Sequence, residues 1–167
     1  MPVFPLAPVP LVKTGGYPHM SKLDAPIYER FLDQYGINFL AAAYDVALGG
    51  FLLGEEDGTP EQRLGWQYST ALKVDVVLFR EDEVWVCEVK PGGTVSGIGA
   101  ALCYTRLAER DGFTVLPLVP VLITDRASPD IQLCARELGV ELFALEEPID
   151  VEREEPPRPQ VAEDAAQ

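Results

Sequence analysis

Two pairs of ionisable residues lie within otherwise apolar segments of the chain. Lys73 and Asp75 occur in LKVDVVLF, and Glu88 and Lys90 occur in VWVCEVK. The flanking valines and leucines are typical of buried strands, where facing carboxylates are costly unless a cation compensates them. A divalent metal ion would supply that compensation, and a lysine beside it would stabilise negative charge or orient a water. The pattern therefore predicts a metal site at Asp75 and Glu88 with Lys90 next to it.

Two predicted strands bring these residues together. Segments 68–79 and 83–90 flank a short polar turn and predict a β-hairpin. Because side chains alternate along a strand, the first lysine and the aspartate share one face of the first strand, and the glutamate and second lysine share one face of the second. The competing interpretation is a solvated strand face with ordinary cross-strand ion pairs.

The remaining elements predict an α/β protein. A polar loop is expected at 54–63, and helix is the alternative for the strand at 39–48 because that segment contains three consecutive alanines. The resulting order, α-β-β-β-α-β-α-β, implies a mixed sheet with helices on both faces. Helices are predicted at 24–35, 96–110 and 128–137, and the further strands at 39–48, 115–124 and 140–145.

The residue spacing and the element order resemble the PD-(D/E)XK nuclease superfamily. Asp75 is followed thirteen residues later by Glu88-Val89-Lys90, and then by a glycine-containing turn and a helix. The resemblance covers roughly residues 24–145. It implies a restriction-endonuclease-like αβββαβ core, with a mixed central sheet flanked by helices, plus one further α-β unit.

The resemblance also implies a role for each residue that matches the family motif. Asp75 and Glu88 would bind Mg²⁺ or Mn²⁺, and Lys90 would assist the attacking water. Glu29 on the first helix would complete the site, although an ordinary exposed helix position is the alternative for this residue.

The positions around the catalytic motif match the family pattern only in part. Many members of the superfamily carry Gln and Tyr four residues apart on the helix after E-x-K; Tyr104 matches the second, whereas Ala100 occupies the place of the first. Val74 stands where the family name has proline. Tyr104 and Lys73 are therefore predicted as supporting residues, and the missing Gln argues against retained catalysis.

A second resemblance is narrower. Four short segments are similar to a pattern in small bacteriophage proteins that carry an E-x-K strand: 17–20 (YPHM), 28–32 (YERFL), 44–46 (YDV) and 73–77 (KVDVV). This resemblance implies a phage origin, and hence the cytoplasm of an infected host cell or the virion as the location.

Together the resemblances imply a metal-dependent nuclease that acts on DNA. The alternative is a catalytically silent nuclease-like fold that serves as a virion component or as a protein-interaction module, with a phage or host protein as partner through the N-terminal arm. A homodimer is a further expectation, since many superfamily members dimerise.

The ends of the chain differ in composition from the middle. Residues 1–23 predict a Pro-rich extended arm, residues 24–145 the nuclease-like domain, and residues 146–167 an acidic Pro/Glu-rich disordered tail. The net charge is −14, of which the tail contributes −6. This acidity predicts weak, salt-sensitive binding to DNA, and no segment predicts a membrane span or a signal peptide.

Several other residues carry chemistry. His19, the only histidine, is expected to pack or cap before the first helix. Asp45 either approaches the same cleft or makes a structural hydrogen bond near the end of its strand. Cys87, Cys103 and Cys134 are expected to be buried thiols.

Overall fold

The computed structural model describes residues 7–145 and contains a single sheet of five strands in the order β1-β2-β3-β4-β5. Strand β2 is antiparallel to both of its neighbours, β1 and β3, whereas β4 and β5 continue the sheet in parallel with β3. The strands are β1 (Ala41–Leu48), β2 (Leu72–Phe79), β3 (Val84–Val89), β4 (Leu118–Thr124) and β5 (Glu141–Ala144), and the helices are α1 (Asp24–Tyr35), α2 (Pro60–Thr70), α3 (Val95–Arg110) and α4 (Pro129–Glu137).

Helices cover both faces of the sheet. On one face, α1 buries Tyr28 and Phe31 against β2, β3 and β4. On the other, α3 contributes Ala101 and Ala108, and α4 contributes Ala135. Burial of a large apolar side chain contributes about 1.5–3 kcal/mol, so the aromatic face of α1 is the main attachment of that helix. The predicted α/β class with a mixed sheet is confirmed.

Helix α2 was not predicted, and the expectations of a loop at 54–63 and of a strand beginning at residue 68 were wrong. The helix begins with a capping box: the Thr59 side chain accepts from the Gln62 backbone N–H, and the Gln62 side chain accepts from the Thr59 N–H. Pro60 occupies the first turn. Only Gln67 of the helix is buried. The segment therefore lacks the periodic apolar residues by which a helix is recognised in a sequence.

The alternation of side chains slips by one residue in the middle of β2. Val76 packs in the cluster under α1, whereas Val74 and Val77, three residues apart, both pack in the cluster under α3. Strand β1 slips at the facing position, where Asp45 has φ of +53°. Strict alternation therefore does not run through this point, and Lys73 and Val77 lie on opposite faces of the strand although they are four residues apart.

The described part of the N-terminal arm runs along the free edge of β1. Val9 pairs with Ala42 through two backbone hydrogen bonds of 2.7 and 2.9 Å. Tyr17 is buried between α1 and β1, against the rings of Tyr28 and Tyr44. The arm thus protects a sheet edge that would otherwise offer unpaired N–H and C=O groups. The predicted acidic tail, 146–167, lies outside the described residues.

The structure also bears on the predictions for the three cysteines and for membrane spans. Cys87 is buried as expected, but Cys103 and Cys134 are exposed on α3 and α4, so that prediction was wrong for two of the three thiols. Within residues 7–145, no helix is long and apolar enough to cross a membrane.

Candidate active site

Asp75 lies where β2 and β3 stop pairing. The ladder between the two strands runs from the pair Phe79–Val84 to the pair Val76–Cys87 and ends there. One residue further, Oδ2 of Asp75 accepts a hydrogen bond of 2.9 Å from the backbone N–H of Val89. A side-chain carboxylate thus takes the place of a strand carbonyl, which fixes the aspartate at the point where the two strands diverge.

Glu88 and Lys90 flank that point on β3 and just beyond it. The Glu88 side chain is 12% exposed and the Lys90 side chain is 41% exposed, and Lys90 Nζ lies 4.0 Å from Glu88 Oε1. The backbone N–H of Lys90 donates to the Ile123 carbonyl at 2.9 Å, which anchors the lysine to β4. The structure therefore brings together three of the sequence-predicted residues, Asp75, Glu88 and Lys90. The Glu88 carboxylate is largely shielded from solvent, whereas the Lys90 ammonium is exposed.

The electrostatics of the two carboxyls are strongly perturbed. Burial raises the pKa of Asp75 to about 6, and the Val89 N–H only partly opposes that shift. Burial and the neighbouring Asp75 charge raise the pKa of Glu88 to about 7, with Lys90 acting in the opposite direction. The Asp75 charge thus opposes ionisation of Glu88, and the Asp24 charge opposes ionisation of both, which is a situation that a bound cation relieves.

Tyr104 on α3 belongs to the same environment. Burial, followed by the charges of Glu88 and Asp75, raises the pKa of its phenol to about 12. The hydroxyl therefore stays protonated at neutral pH and is available as a hydrogen-bond donor. This placement agrees with the supporting role that the sequence assigned to Tyr104.

Lys73 and Glu29 face other parts of the molecule. Lys73 Nζ donates to the Tyr68 carbonyl at 2.9 Å and lies over the Tyr68 ring, at the end of α2. Glu29 Oε1 accepts from the Gly15 N–H at 2.8 Å and from the Tyr17 hydroxyl at 3.2 Å, so it holds the arm.

The carboxylate of α1 that acts on the site is Asp24, which raises the pKa of both Asp75 and Glu88. It lies in the first turn of α1, five positions before Glu29, and accepts from the Ser21 N–H at 2.7 Å. The residue predicted from the first helix was Glu29, which contacts the arm, because helical periodicity alone does not say which turn faces the sheet.

Three residues beside the site were not assigned to it from the sequence. Asp45 of β1 lies in the register position opposite Asp75. Its Oδ1 lies 2.8 Å from Nε2 of His19, and its Oδ2 accepts from the Tyr68 hydroxyl at 2.7 Å. The YDV segment and the lone histidine were the available signals, but nothing in the sequence places the arm or α2 next to β1.

The chemistry of the donor set fits a hard divalent cation. Within residues 7–145, no three His, Cys, Asp or Glu side chains are gathered as a ready metal-binding group. Mg²⁺, however, is commonly held by one or two carboxylates and keeps several waters, and Asp75 and Glu88 offer that pair of oxygen ligands in a poorly solvated position. When bound, such an ion would polarise a phosphoryl oxygen and lower the pKa of a bound water.

Comparison with known proteins adds little to this picture. No family model and no curated protein matches the chain. A solved structure, described as that of a protein of unknown function, AF1548, is similar with 19% sequence identity and a TM-score of 0.46. The match covers 74% of this chain and 57% of that chain, so this chain spans little more than half of the other protein. At that level the likeness carries no functional information.

Proposed function

We propose that this protein is a metal-dependent nuclease that hydrolyses phosphodiester bonds in DNA. The observation that carries the proposal is the pair of partly buried carboxyls, Asp75 and Glu88, whose raised pKa values are about 6 and 7, with the Lys90 ammonium 4.0 Å from Glu88. Perturbed carboxyls beside a cationic side chain are typical of sites that bind a metal and act on phosphate.

Each residue has a distinct part in the proposed reaction. Asp75 and Glu88 hold Mg²⁺ or Mn²⁺, and Lys90 stabilises negative charge on the phosphoryl oxygens or orients the attacking water. Tyr104 donates a hydrogen bond within the same cluster. The resemblance to the PD-(D/E)XK superfamily, with its restriction-endonuclease-like topology, supports this assignment, and the phage-like segments support an origin in an infected cell or a virion.

The test separates the ligands from the lysine. Glu88→Gln and Asp75→Asn are expected to abolish Mn²⁺ binding in calorimetric titration and, with it, cleavage of DNA. Lys90→Ala is expected to retain Mn²⁺ binding but to lower the cleavage rate by about 100-fold or more. Single-stranded, duplex and branched DNA are the substrates to compare, with Glu141→Gln as the matched control because this glutamate is exposed on β5.

The proposal fails if the wild-type protein binds no Mn²⁺ in a manner that depends on Asp75 and Glu88. It also fails if cleavage survives Glu88→Gln unchanged, because contamination by another nuclease would then explain the activity.

A second candidate function rests on a different surface. The loop after β1 and helix α2 expose several large apolar side chains, among them Phe51 at 71% and Trp66 at 48%. Exposed apolar clusters of this kind mark protein-interaction sites, and the net charge of −14 disfavours a nucleic-acid partner. The alternative proposal is therefore a silent nuclease-like fold that binds a phage or host protein or sits in the virion. Stoichiometric presence in purified particles, without metal binding, would support it.

A further inference from the structure

We propose that His19 contacts the phosphate of the nucleic-acid substrate, and that Asp45 and Tyr68 hold the imidazole in place for that contact. The inference rests on the proposed nuclease function and adds a residue from the arm to its site. Asp45 Oδ1 lies 2.8 Å from Nε2 of the imidazole, and the Tyr68 hydroxyl binds the other oxygen of the same carboxylate at 2.7 Å.

The backbone at both ends of this contact is strained. His19 has φ of +62° and Asp45 has φ of +53°, and they are the two non-glycine residues with positive φ in the part of the chain that the structure describes. Such conformations are uncommon for non-glycine residues and persist where the surroundings enforce them, often at functional sites. That two such residues contact each other, directly opposite Asp75, is difficult to account for by packing alone.

The imidazole is accessible as well as anchored. The His19 side chain is 47% exposed, and among residues 7–145 its polar contact is with Asp45. Nε2 thus lies at ion-pair distance from Asp45 Oδ1, which makes no hydrogen bond of its own among the described residues, while about half of the side chain is open to solvent. A histidine that only staples the arm would gain more from burial than from this exposure.

The arm that carries His19 is fixed along its length. Tyr17 is buried, with its ring 5.0 Å from that of Tyr28, and the Glu29 carboxylate holds the Gly15 N–H at 2.8 Å. These contacts give Glu29 a role as a positioning residue for the arm, in place of metal binding. A residue held this way is preorganised, so it loses little freedom when a ligand binds.

The charge of the site creates a need for this contact. Asp75 and Glu88, the two proposed metal ligands, feel the negative charge of Asp24 as well, against one lysine. A substrate phosphate that approaches this cluster requires a further hydrogen-bond donor or positive charge. Asp45, which His19 contacts, lies in the register position opposite Asp75, and the charge of His19 acts to lower the pKa of Asp75.

The experiment measures DNA cleavage and Mn²⁺ binding by the full-length protein. His19→Gly removes the side chain while allowing the left-handed backbone, so the fold should persist. We expect kcat/KM to fall by about 10- to 100-fold, the range of a hydrogen bond to a charged group, with Mn²⁺ binding unchanged. Free imidazole should restore part of the activity, and His19→Asn should retain part of it because its amide donates a hydrogen bond.

Two further variants separate positioning from structure. Tyr68→Phe should lower activity in the wild-type background but have no additional effect when combined with His19→Gly. Lys13→Ala, which breaks the Lys13–Asp33 ion pair elsewhere on the arm, is the control and should leave kcat/KM unchanged.

The outcomes are distinct. If the wild type cleaves DNA and His19→Gly does so with the same KM and kcat, His19 is a structural staple and the inference is wrong, whereas the nuclease function stands. If the activity of His19→Gly falls but imidazole restores none of it, and Lys13→Ala falls equally, the arm acts only through folding and the inference is again wrong. If the wild type neither cleaves DNA nor binds Mn²⁺, the proposed function and this inference fail together.

Discussion

The fold places the carboxyl groups of Asp75 and Glu88 where their ionisation is unfavourable. Both pKa values lie above those of ordinary aspartate and glutamate, at about 6 and about 7, because burial withholds solvent from both carboxyls, the Asp75 charge repels that of Glu88, and the Asp24 charge repels both. Such an arrangement costs the metal-free protein stability, and a bound divalent cation would recover it. The residues that support the proposed chemistry therefore also predict how stability depends on pH.

The folded protein binds protons at these carboxyls more tightly than the unfolded chain does. The contribution of these groups to the free energy of unfolding is thus fully present below about pH 4, the ordinary range of carboxyls, and is lost as the pH rises through 6 and 7. Glu88→Gln should raise the free energy of unfolding of the chelator-treated protein at pH 8 by about 2 kcal/mol, with little change at pH 4.

Urea denaturation at the two pH values measures this difference, and Glu141→Gln controls for the loss of an exposed charge. Equal effects of Glu88→Gln at pH 4 and pH 8 would show that Glu88 is solvated like a surface carboxyl.

At the level of single residues, the sequence predicted those whose surroundings are local. Lys90 lies two positions after Glu88, one residue beyond the end of β3, so the alternation of an extended chain places the two together. It could not distinguish Asp24 from Glu29, since both lie on α1 and the turn that meets the sheet is decided by tertiary packing. His19 was missed for a related reason, because its partner Asp45 is distant in the sequence.

Among the elements, α3 packs so closely against Leu122 of β4 that only glycine fits at position 97. A Cβ on Gly97 would lie 2.9 Å from Cδ1 of Leu122, which is fully buried, and 3.6 Å from Cδ of Lys90. Gly99, two residues later on the same helix, has nothing within 4 Å of the corresponding position. The two glycines therefore form a matched pair for a test of how α3 packs.

Gly97→Ala should lower the free energy of unfolding by about 1–3 kcal/mol, because buried Leu122 has no room to move away. Gly99→Ala should raise it by about 0.5–1 kcal/mol through helix propensity. Thermal or urea unfolding of the two variants measures both signs. A stabilising Gly97→Ala would mean that α3 stands further from β4 than described.

Two features of the elements did not follow from the sequence pattern: helix α2 and the slip in side-chain alternation at Asp45 and Asp75. Helix α2 carries a Thr59–Gln62 capping box, a signal present in the sequence, but its exposed surface lacks the apolar period that identifies a helix. The slip at Asp45 and Asp75 has no local signal, because aspartate rarely adopts positive φ within a strand. Both departures lie beside the candidate site, where local rules are most often broken.

Across the whole molecule, Leu145, the last described residue, lies at the edge of the sheet that carries the site. Lys90 follows β3, Thr124 ends β4, and Leu145 follows β5; the Leu145 N–H donates to the Thr124 carbonyl at 2.8 Å, and the Lys90 N–H donates to Ile123. Because these three strands are parallel, their carboxyl ends lie at one edge. Neighbouring strands are about 4.8 Å apart, so Leu145, which follows β5, lies within roughly 10 Å of the strand that carries Glu88.

Because the tail follows Leu145 directly in the sequence, its negative charge is expected to weaken the binding of DNA. The tail contributes −6 of the net −14, and repulsion over about 10 Å is significant at 0.1 M salt but largely screened at 1 M. Replacing the acidic residues of 146–167 with Gln and Asn should tighten binding of a fluorescent oligonucleotide, with Ca²⁺ in place of Mg²⁺, by several-fold at low salt.

The gain should vanish as salt increases. A tail of the same composition in permuted order retains the charge and should bind like the wild type, which makes it the matched control. If neutralising the tail leaves affinity unchanged at low salt while Asp75→Asn alters it, the tail lies away from the substrate path, and the acidity of residues 1–145 alone limits binding.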